Sequence, residues 1–216
     1  MKLYDITPTV TADLGVWPGD TPATREVLLD IEKGHNITLS TLRATVHLGA
    51  HADAPSHYGL HAPTIEQRPL DVYIGPCAVV HVRGQRGERV GFEEVSRGIA
   101  SIVPSSSVLP TRVLIVTGTF PDPRKWNDDF AALSPGLVDA LHERGVRLIG
   151  IDTPSVDLFD SKDLPAHGRF LAHDMAILEG IVLEGVPAGI YELIALPLKL
   201  AGFDASPVRA ILRTMD

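Results

Sequence analysis

Short apolar runs separated by turn residues recur along nearly the whole chain. KLYDIT, REVLLDI, ITLSTLRATVHLG, CAVVHV, TRVLIVTG, VRLIGIDT, GIVLEG, YELIALPLKL and SPVRAILR predict strands. Helical patterns are fewer. In SPGLVDALHERG, Ser134 suits the cap, Pro135 the first helical position and Gly145 the exit, while Leu137, Ala140, Leu141 and Arg144 fall near one face. A second helix is predicted around HGRFLAHDMAIL (167–178) and a weaker one over FEEVSRGI (92–99). TRVLIVTG, the 134–144 helix and VRLIGIDT together read as a βαβ unit. Many strands with few helices predict a compact α/β domain, a mixed sheet with helices packed on it.

Nothing in the sequence divides this domain. There is no internal repeat, and SIVPSSSVLP (101–110), the nearest approach to a linker, is too short to force a second unit, so residues 1–216 are read as a single domain. The formal net charge of −8 argues against a nucleic-acid binder, which needs a basic surface. No apolar run approaches the ~20 residues of a membrane span, and MKLYDITPTV lacks the apolar segment and cleavage site of a secretory signal. The single cysteine, Cys77, precludes an intramolecular disulfide and suits a reducing, cytoplasmic compartment. Lying in the apolar run IGPCAVVHV, it reads as a buried structural thiol.

The chemistry concentrates in HLGAHADAPSHYGLHA, residues 47–62, which holds four of the nine histidines. Strand alternation would carry His47, Gly49, His51 and Asp53 on one side, but a straight strand would hold His47 and His51 about 13 Å apart, too far to share an ion comfortably. A bend is therefore expected, with Gly49 as the residue that permits it. A helix fits less well, because Asp53 would leave the histidine face and Pro55 disfavours helix at Ala54. Neutral imidazoles and a carboxylate suit zinc or another divalent transition ion, and a carboxylate has two oxygens with which to bridge two ions. His61, beyond Gly59, is expected at the surface.

Further ligands must come from elsewhere. His167, His173, Glu179 and Glu184 are candidates, with Asp152, Asp157, Asp160 and Asp163 upstream; spacing does not choose among them. Asp160 and Asp163 read as solvated loop carboxylates. Glu179 ends an apolar, helix-like run, where a buried carboxylate would need a cation.

HLGAHADAPSHY resembles the H-x-G-[TA]-H-x-D-x-P-x-H signature of the cyclase-like metal hydrolases. YDITPTV, VWPGDTP, IDTPSVD, SKDLPAH and the long block LEGIVLEGVPAGIYELIALPLKLAGFDASPVRAILR extend the resemblance almost end to end, most closely to the kynurenine formamidase (arylformamidase) branch. That resemblance implies a compact α/β fold with a barrel-like sheet, in a homodimer or larger oligomer. It implies two divalent ions per subunit, most simply Zn2+, with Mn2+ or Co2+ tolerated. His47 and His51 would hold the first ion, Asp53 would bridge both, His167 would ligate the second and Glu179 would bridge, with His173 the rival to His167. His57 would shuttle protons, and Trp17, on the Gly/Pro-flanked loop GVWPGD, would contact substrate. Ala50 stands where many relatives have threonine, so it supplies no hydroxyl.

The substrate so implied is N-formyl-L-kynurenine, cleaved by water to formate and L-kynurenine. A formamide is a weak electrophile and water a weak nucleophile, and divalent ions address both. A serine hydrolase would need a nucleophile elbow, and Ser155 in DTPSVD has none, so it reads as a turn or supporting residue. A sister enzyme acting on another small or cyclic amide such as isatin is the nearest alternative, with changes at Trp17 or around Phe159 able to redirect the site. A structural metal module is another, but closed structural sites usually draw on several cysteines.

Overall fold

The strongest apolar runs become the centre of one sheet, because strands buried on both faces need side chains that are apolar on both. The computed structural model describes residues 1–104 and 107–215; Ser105 and Ser106, within the 101–110 stretch, lie outside the described residues. In chain order the elements are β1 (Leu3–Asp5), β2 (Thr24–Leu29), β3 (Leu39–Arg43), β4 (His51–Asp53), β5 (Ile74–His81), β6 (Arg89–Val90), α1 (Phe92–Ile102), β7 (Arg112–Val116), β8 (Ala132–Leu133), α2 (Pro135–His142), β9 (Leu148–Ile151), α3 (Pro165–Ala172), β10 (Ala176–Glu179), β11 (Gly189–Ile194), β12 (Ala205–Pro207) and β13 (Ile211–Thr214).

Nine strands form a mixed sheet in the order β1-β13-β11-β5-β7-β9-β10-β4-β12, curled into a half-barrel whose edges are β1 and β12. The four central strands β5, β7, β9 and β10 run parallel, and the flanking strands are antiparallel. Each parallel step contains one helix, α1, α2 or α3 in turn, so three βαβ units follow one another.

Alternation along these strands builds two cores. Cys77, Val79, Leu114, Leu148 and Leu178 join the core on the hollow side, with Ala50, Ala52 and Ala54. Ala78, Val80, Val113, Ile115, Ile149 and Ile177 meet Val95, Leu137, Leu141, Ala166 and Phe170 of the helices on the other. Helix α1 lies close on β5 because Gly98 is there: a Cβ at that position would come within 2.3 Å of Val80 Cγ1. Ser134 caps α2 by accepting from the Leu137 N–H at 3.2 Å, with Pro135 next, as its sequence predicts.

Several expectations are corrected. The helix expected over 167–178 is only Pro165–Ala172; residues 176–179 are β10, so Glu179 ends a strand. GIVLEG forms no strand, because after Gly180 the chain turns to line the cavity. ITLSTLRATVHLG is a strand only to Arg43, so His47 stands on an irregular segment and strand alternation does not place it. SPVRAILR is divided between β12 and β13. Among the described residues no helix is long and apolar enough to cross a membrane.

The ribbon β2–β3 stands apart. Among the described residues its strands pair only with each other, none of residues 24–43 is buried, and Val27, Leu28, Ile31, Ile37, Leu39 and Leu42 are all exposed.

Candidate metal centre

Three-residue strand β4 is the foundation of the site. It lies between β10 and β12, and its register sets His51 opposite Glu179 and Asp53 opposite both Ile177 and Ala205. Ala52 enters the hollow-side core, so His51 and Asp53 must face the other way, toward α3. The expected bend is present: Gly49 has φ +55, in the left-handed region. It folds His47 back so that its Nδ1 lies 3.1 Å from Asp53 Oδ1. The Gly49 carbonyl packs against Gly180 (φ +64), where a Cβ would come within 2.1 Å of the carbonyl oxygen. Only glycine lets the two backbones approach so closely beside Glu179.

Helix α3 delivers His167 to the same point. Its Nε2 lies 3.5 Å from Asp53 Oδ2 and 3.8 Å from Glu179 Oε1, and His51 Nε2 lies 3.2 Å from Glu179 Oε2 and 3.5 Å from Asp53 Oδ1. Five expected ligands, His47, His51, Asp53, His167 and Glu179, are therefore gathered around the two Asp53 oxygens. His173 is not among them: its Nε2 pairs with Asp139 at 2.7 Å and its ring stacks on His142.

Each ring has an acceptor behind it. His51 Nδ1 meets the Gly49 carbonyl at 2.9 Å, His47 Nε2 meets Asp204 Oδ2 at 3.0 Å, and His167 Nδ1 meets Asp157 Oδ2 at 2.8 Å. An N–H donated outward leaves the other ring nitrogen a lone pair facing the centre, the tautomer a metal requires. Asp157 is itself held by Arg89 (2.6 Å) and by the Ala166 and His167 backbone N–H groups. Burial works against its charge, but these bonds prevail and lower its pKa to about 2. Glu179 Oε1 accepts from the Val156 N–H at 2.6 Å, leaving Oε2 toward His51.

The electrostatics call for cations. Burial opposes charge on His47, yet the nearby carboxylates of Asp53 and Asp204 raise its pKa to about 9; the same contest, won by Asp157 and Asp53, raises that of His167 to about 10. Most telling, both Asp53 oxygens and His51 Nε2 are buried without a hydrogen-bond partner. Such atoms cost free energy unless something satisfies them, and a hard carboxylate with a neutral imidazole is a divalent ion's donor set. His51, Asp53 and Glu179 converge closely enough to share one ion, as do His47, Asp53 and His57.

A cavity of about 770 Å³ opens over these residues at the carboxyl ends of β7, β9 and β10, the usual place for a ligand in an open α/β sheet. His57, closing a single turn of 3-10 helix (Pro55–His57), lines it with a partly exposed ring 4.2 Å from that of His47. Trp17 lines it too, packed on Phe159 (5.0 Å), Trp126 (5.4 Å) and Phe130 (6.2 Å). Trp17 is thus both loop anchor and cavity wall, 37% exposed.

The chain belongs to the cyclase family. The family model, described as "Putative cyclase", matches residues 4–158, a span that includes the His47–His57 motif and stops short of His167 and Glu179. Solved structures of similar fold cover nearly the whole chain. One, described as a potential metal-dependent hydrolase with cyclase activity, shares 25% identity over 98% of this chain and 96% of its own, with a TM-score of 0.80. Another, described as a predicted metal-dependent hydrolase from Bacillus stearothermophilus, shares 25% identity over 98% and 97%, at 0.79. Isatin hydrolase A from Labrenzia aggregata shares the fold at 21% identity over 99% and 94%, at 0.80.

The remaining candidates fall as their chemistry suggests. Asp160, Asp163 and His61 are exposed, and Glu184 is an exposed residue on the cavity wall. Asp152 joins the ends of β7 and β9 by accepting from Thr117 and Gly118. Ser155 accepts from the Asp157 N–H as a turn residue does. Ala50 packs in the apolar core. Sequence reasoning missed Asp204 altogether: it is one acid in a long C-terminal block, and only the pairing of β12 with β4 brings it to His47.

Proposed function

We propose that this cyclase-family chain is a divalent-metal-dependent amide hydrolase, and that its substrate is N-formyl-L-kynurenine, cleaved to formate and L-kynurenine. The observation that carries the reading is the buried, unpartnered set of Asp53 oxygens and His51 Nε2 beneath an aromatic-walled cavity. His47, His51 and Asp53 would hold one ion, and Asp53, His167 and Glu179 a second. When bound, ions at these positions supply Lewis acidity toward both water and the formyl oxygen.

The chain's own groups do the rest. Trp17 presents an aromatic face for the substrate ring. The cavity is of the size that encloses a small-molecule ligand. His57 takes a proton from water as its oxygen bonds to the formyl carbon, and returns one to the aryl nitrogen as the C–N bond breaks. Positioned proton transfer of this kind contributes roughly 10²–10⁴-fold. Zinc is the proposed ion, with manganese or cobalt as substitutes. The exposed apolar side chains of the β2–β3 ribbon support a homodimer, since an isolated two-stranded ribbon is marginal in water. A single functional domain in the cytoplasm completes the proposal.

Isatin, a cyclic aryl amide, is the second reading, favoured by the structural likeness to isatin hydrolase A. One experiment separates the readings: strip the protein of metal, restore zinc, manganese or cobalt, and follow loss of N-formylkynurenine and of isatin in parallel. Restored turnover of the first substrate, and little of the second, supports the formamidase reading; the reverse selects the cyclic amide. Undiminished turnover by the stripped protein refutes metal dependence.

A further inference from the structure

We infer that Asp204 is the positioning residue for His57, a role that rests on the hydrolase reading above. Asp204 Oδ2 lies 3.4 Å from His57 Nδ1 as well as 3.0 Å from His47 Nε2, so one carboxylate oxygen faces two histidines. Among the described residues its ion-pair partners are these two rings, with no lysine or arginine to account for its presence.

The fold holds it there by three backbone connections. The Ala54 N–H donates to the Asp204 carbonyl at 2.8 Å, the Ile65 N–H donates to the Phe203 carbonyl at 2.9 Å, and Ala205 pairs with Asp53 across β12 and β4. These bonds tie the loop before β12 to both sides of the His57 turn. Asp204 therefore keeps its place relative to the motif even though its side chain is half exposed.

The chemical consequence follows from imidazole itself. A neutral ring has one N–H donor and one acceptor, and which nitrogen is which depends on its partners. With Nδ1–H directed to Asp204, His57 keeps a lone pair on Nε2, on the opposite side of the ring, able to accept a proton from water. The carboxylate also limits rotation of a ring that is otherwise partly solvent-exposed. This is the role an acid plays behind a catalytic histidine in hydrolases of unrelated fold, with the difference that the same oxygen also meets His47.

The shared oxygen allows a competing account, in which Asp204 serves only His47 and metal retention. Zinc-loaded wild type, Asp204→Asn and Asp204→Ala proteins separate the two. Four quantities are measured: zinc per chain, kcat and KM on N-formylkynurenine, and the His57 tautomer from nitrogen-15 NMR, assigned with His57→Gln. Asp204→Ala also removes the acceptor behind His47 and should bind zinc more weakly, so it is assayed at zinc concentrations raised until its content matches wild type; there we expect kcat lower by roughly 10–100-fold as for other residues that orient a functional group, little change in KM, and a His57 signal moved toward a mixture of tautomers. Asp204→Asn retains a carbonyl acceptor and should recover part of both kcat and the Nδ1–H signature. An unchanged His57 tautomer in Asp204→Ala, or a kcat that returns to the wild-type value once zinc content is matched, overturns the assignment. If wild type turns over no formamide, the hydrolase reading fails, and the tautomer alone still decides whether Asp204 sets the ring.

Discussion

Replacing Gly180 with alanine tests whether the glycine contact behind the site holds it together. The new Cβ would lie 2.1 Å from the Gly49 carbonyl oxygen and 2.8 Å from its carbon, whereas ordinary C···O contacts are about 3.3 Å or longer, so the carbonyl must retreat by roughly 1 Å. Backbone at φ +64 adds a conformational cost of about 1–2 kcal/mol for a non-glycine residue. Overpacking adds about 1–3 kcal/mol. The sum, about 2–5 kcal/mol, corresponds to a fall in Tm of roughly 5–15 °C for a domain of this size. The displaced carbonyl is also the one that holds His51 Nδ1 at 2.9 Å, so metal affinity should fall with stability. Gly136→Ala is the control: in the first turn of α2 its Cβ meets nothing within 4 Å, and alanine should stabilise by about 0.5–1 kcal/mol. Thermal unfolding of metal-free protein, followed by zinc titration, measures both effects. A Gly180→Ala protein that melts with wild type and binds zinc equally well would refute the reasoning.

Asp157→Asn should weaken zinc binding by roughly 10–100-fold, measured by competition with a chromophoric chelator, because the His167 N–H loses its charged acceptor. Trp17→Ala should raise KM for aryl substrates by about ten-fold while largely sparing kcat, a shift near 1.4 kcal/mol in binding; an equal fall in kcat would place the residue in the chemical step instead. Cys77 is fully buried, and burial pushes its thiol pKa up, so a thiol reagent should leave it untouched until denaturant is added. If the proposed dimer forms through the β2–β3 ribbon, Leu42→Lys combined with Ile31→Lys should leave the protein monomeric in sedimentation experiments, because Leu42 on β3 and Ile31 in the connecting turn are both exposed.

The legible parts of the sequence were those governed by local chemistry. Ser134, Pro135 and Leu137 marked α2 because a cap, a preset φ and an apolar face are adjacent along the chain. Gly49 marked the bend because two histidines four apart cannot share an ion across a straight strand. The segment 167–179 was illegible for the opposite reason: Ala176 to Leu178 would be apolar in either secondary structure, and what makes it a strand is pairing with β9 on one side and β4 on the other. The choice of His167 over His173 likewise depends on where α3 points, and Asp139 with His142 claims the latter. On residues alone, the motif spoke for a metal; the fuller ligand set and the proton shuttle came from family resemblance.

The narrow strand β4 has a consequence for biogenesis. Its neighbours are β10 on one side and β12, residues 205–207, on the other, so a nascent chain on the ribosome has synthesised all five candidate ligands well before it can seal the edge beside Asp53. Contacts of such long sequence separation form slowly, and until they form the motif remains a loose, histidine-rich tether. Ion acquisition is thereby tied to the pairing of β12 with β4, and cells starved of zinc should accumulate chains easily digested by protease around residues 47–62.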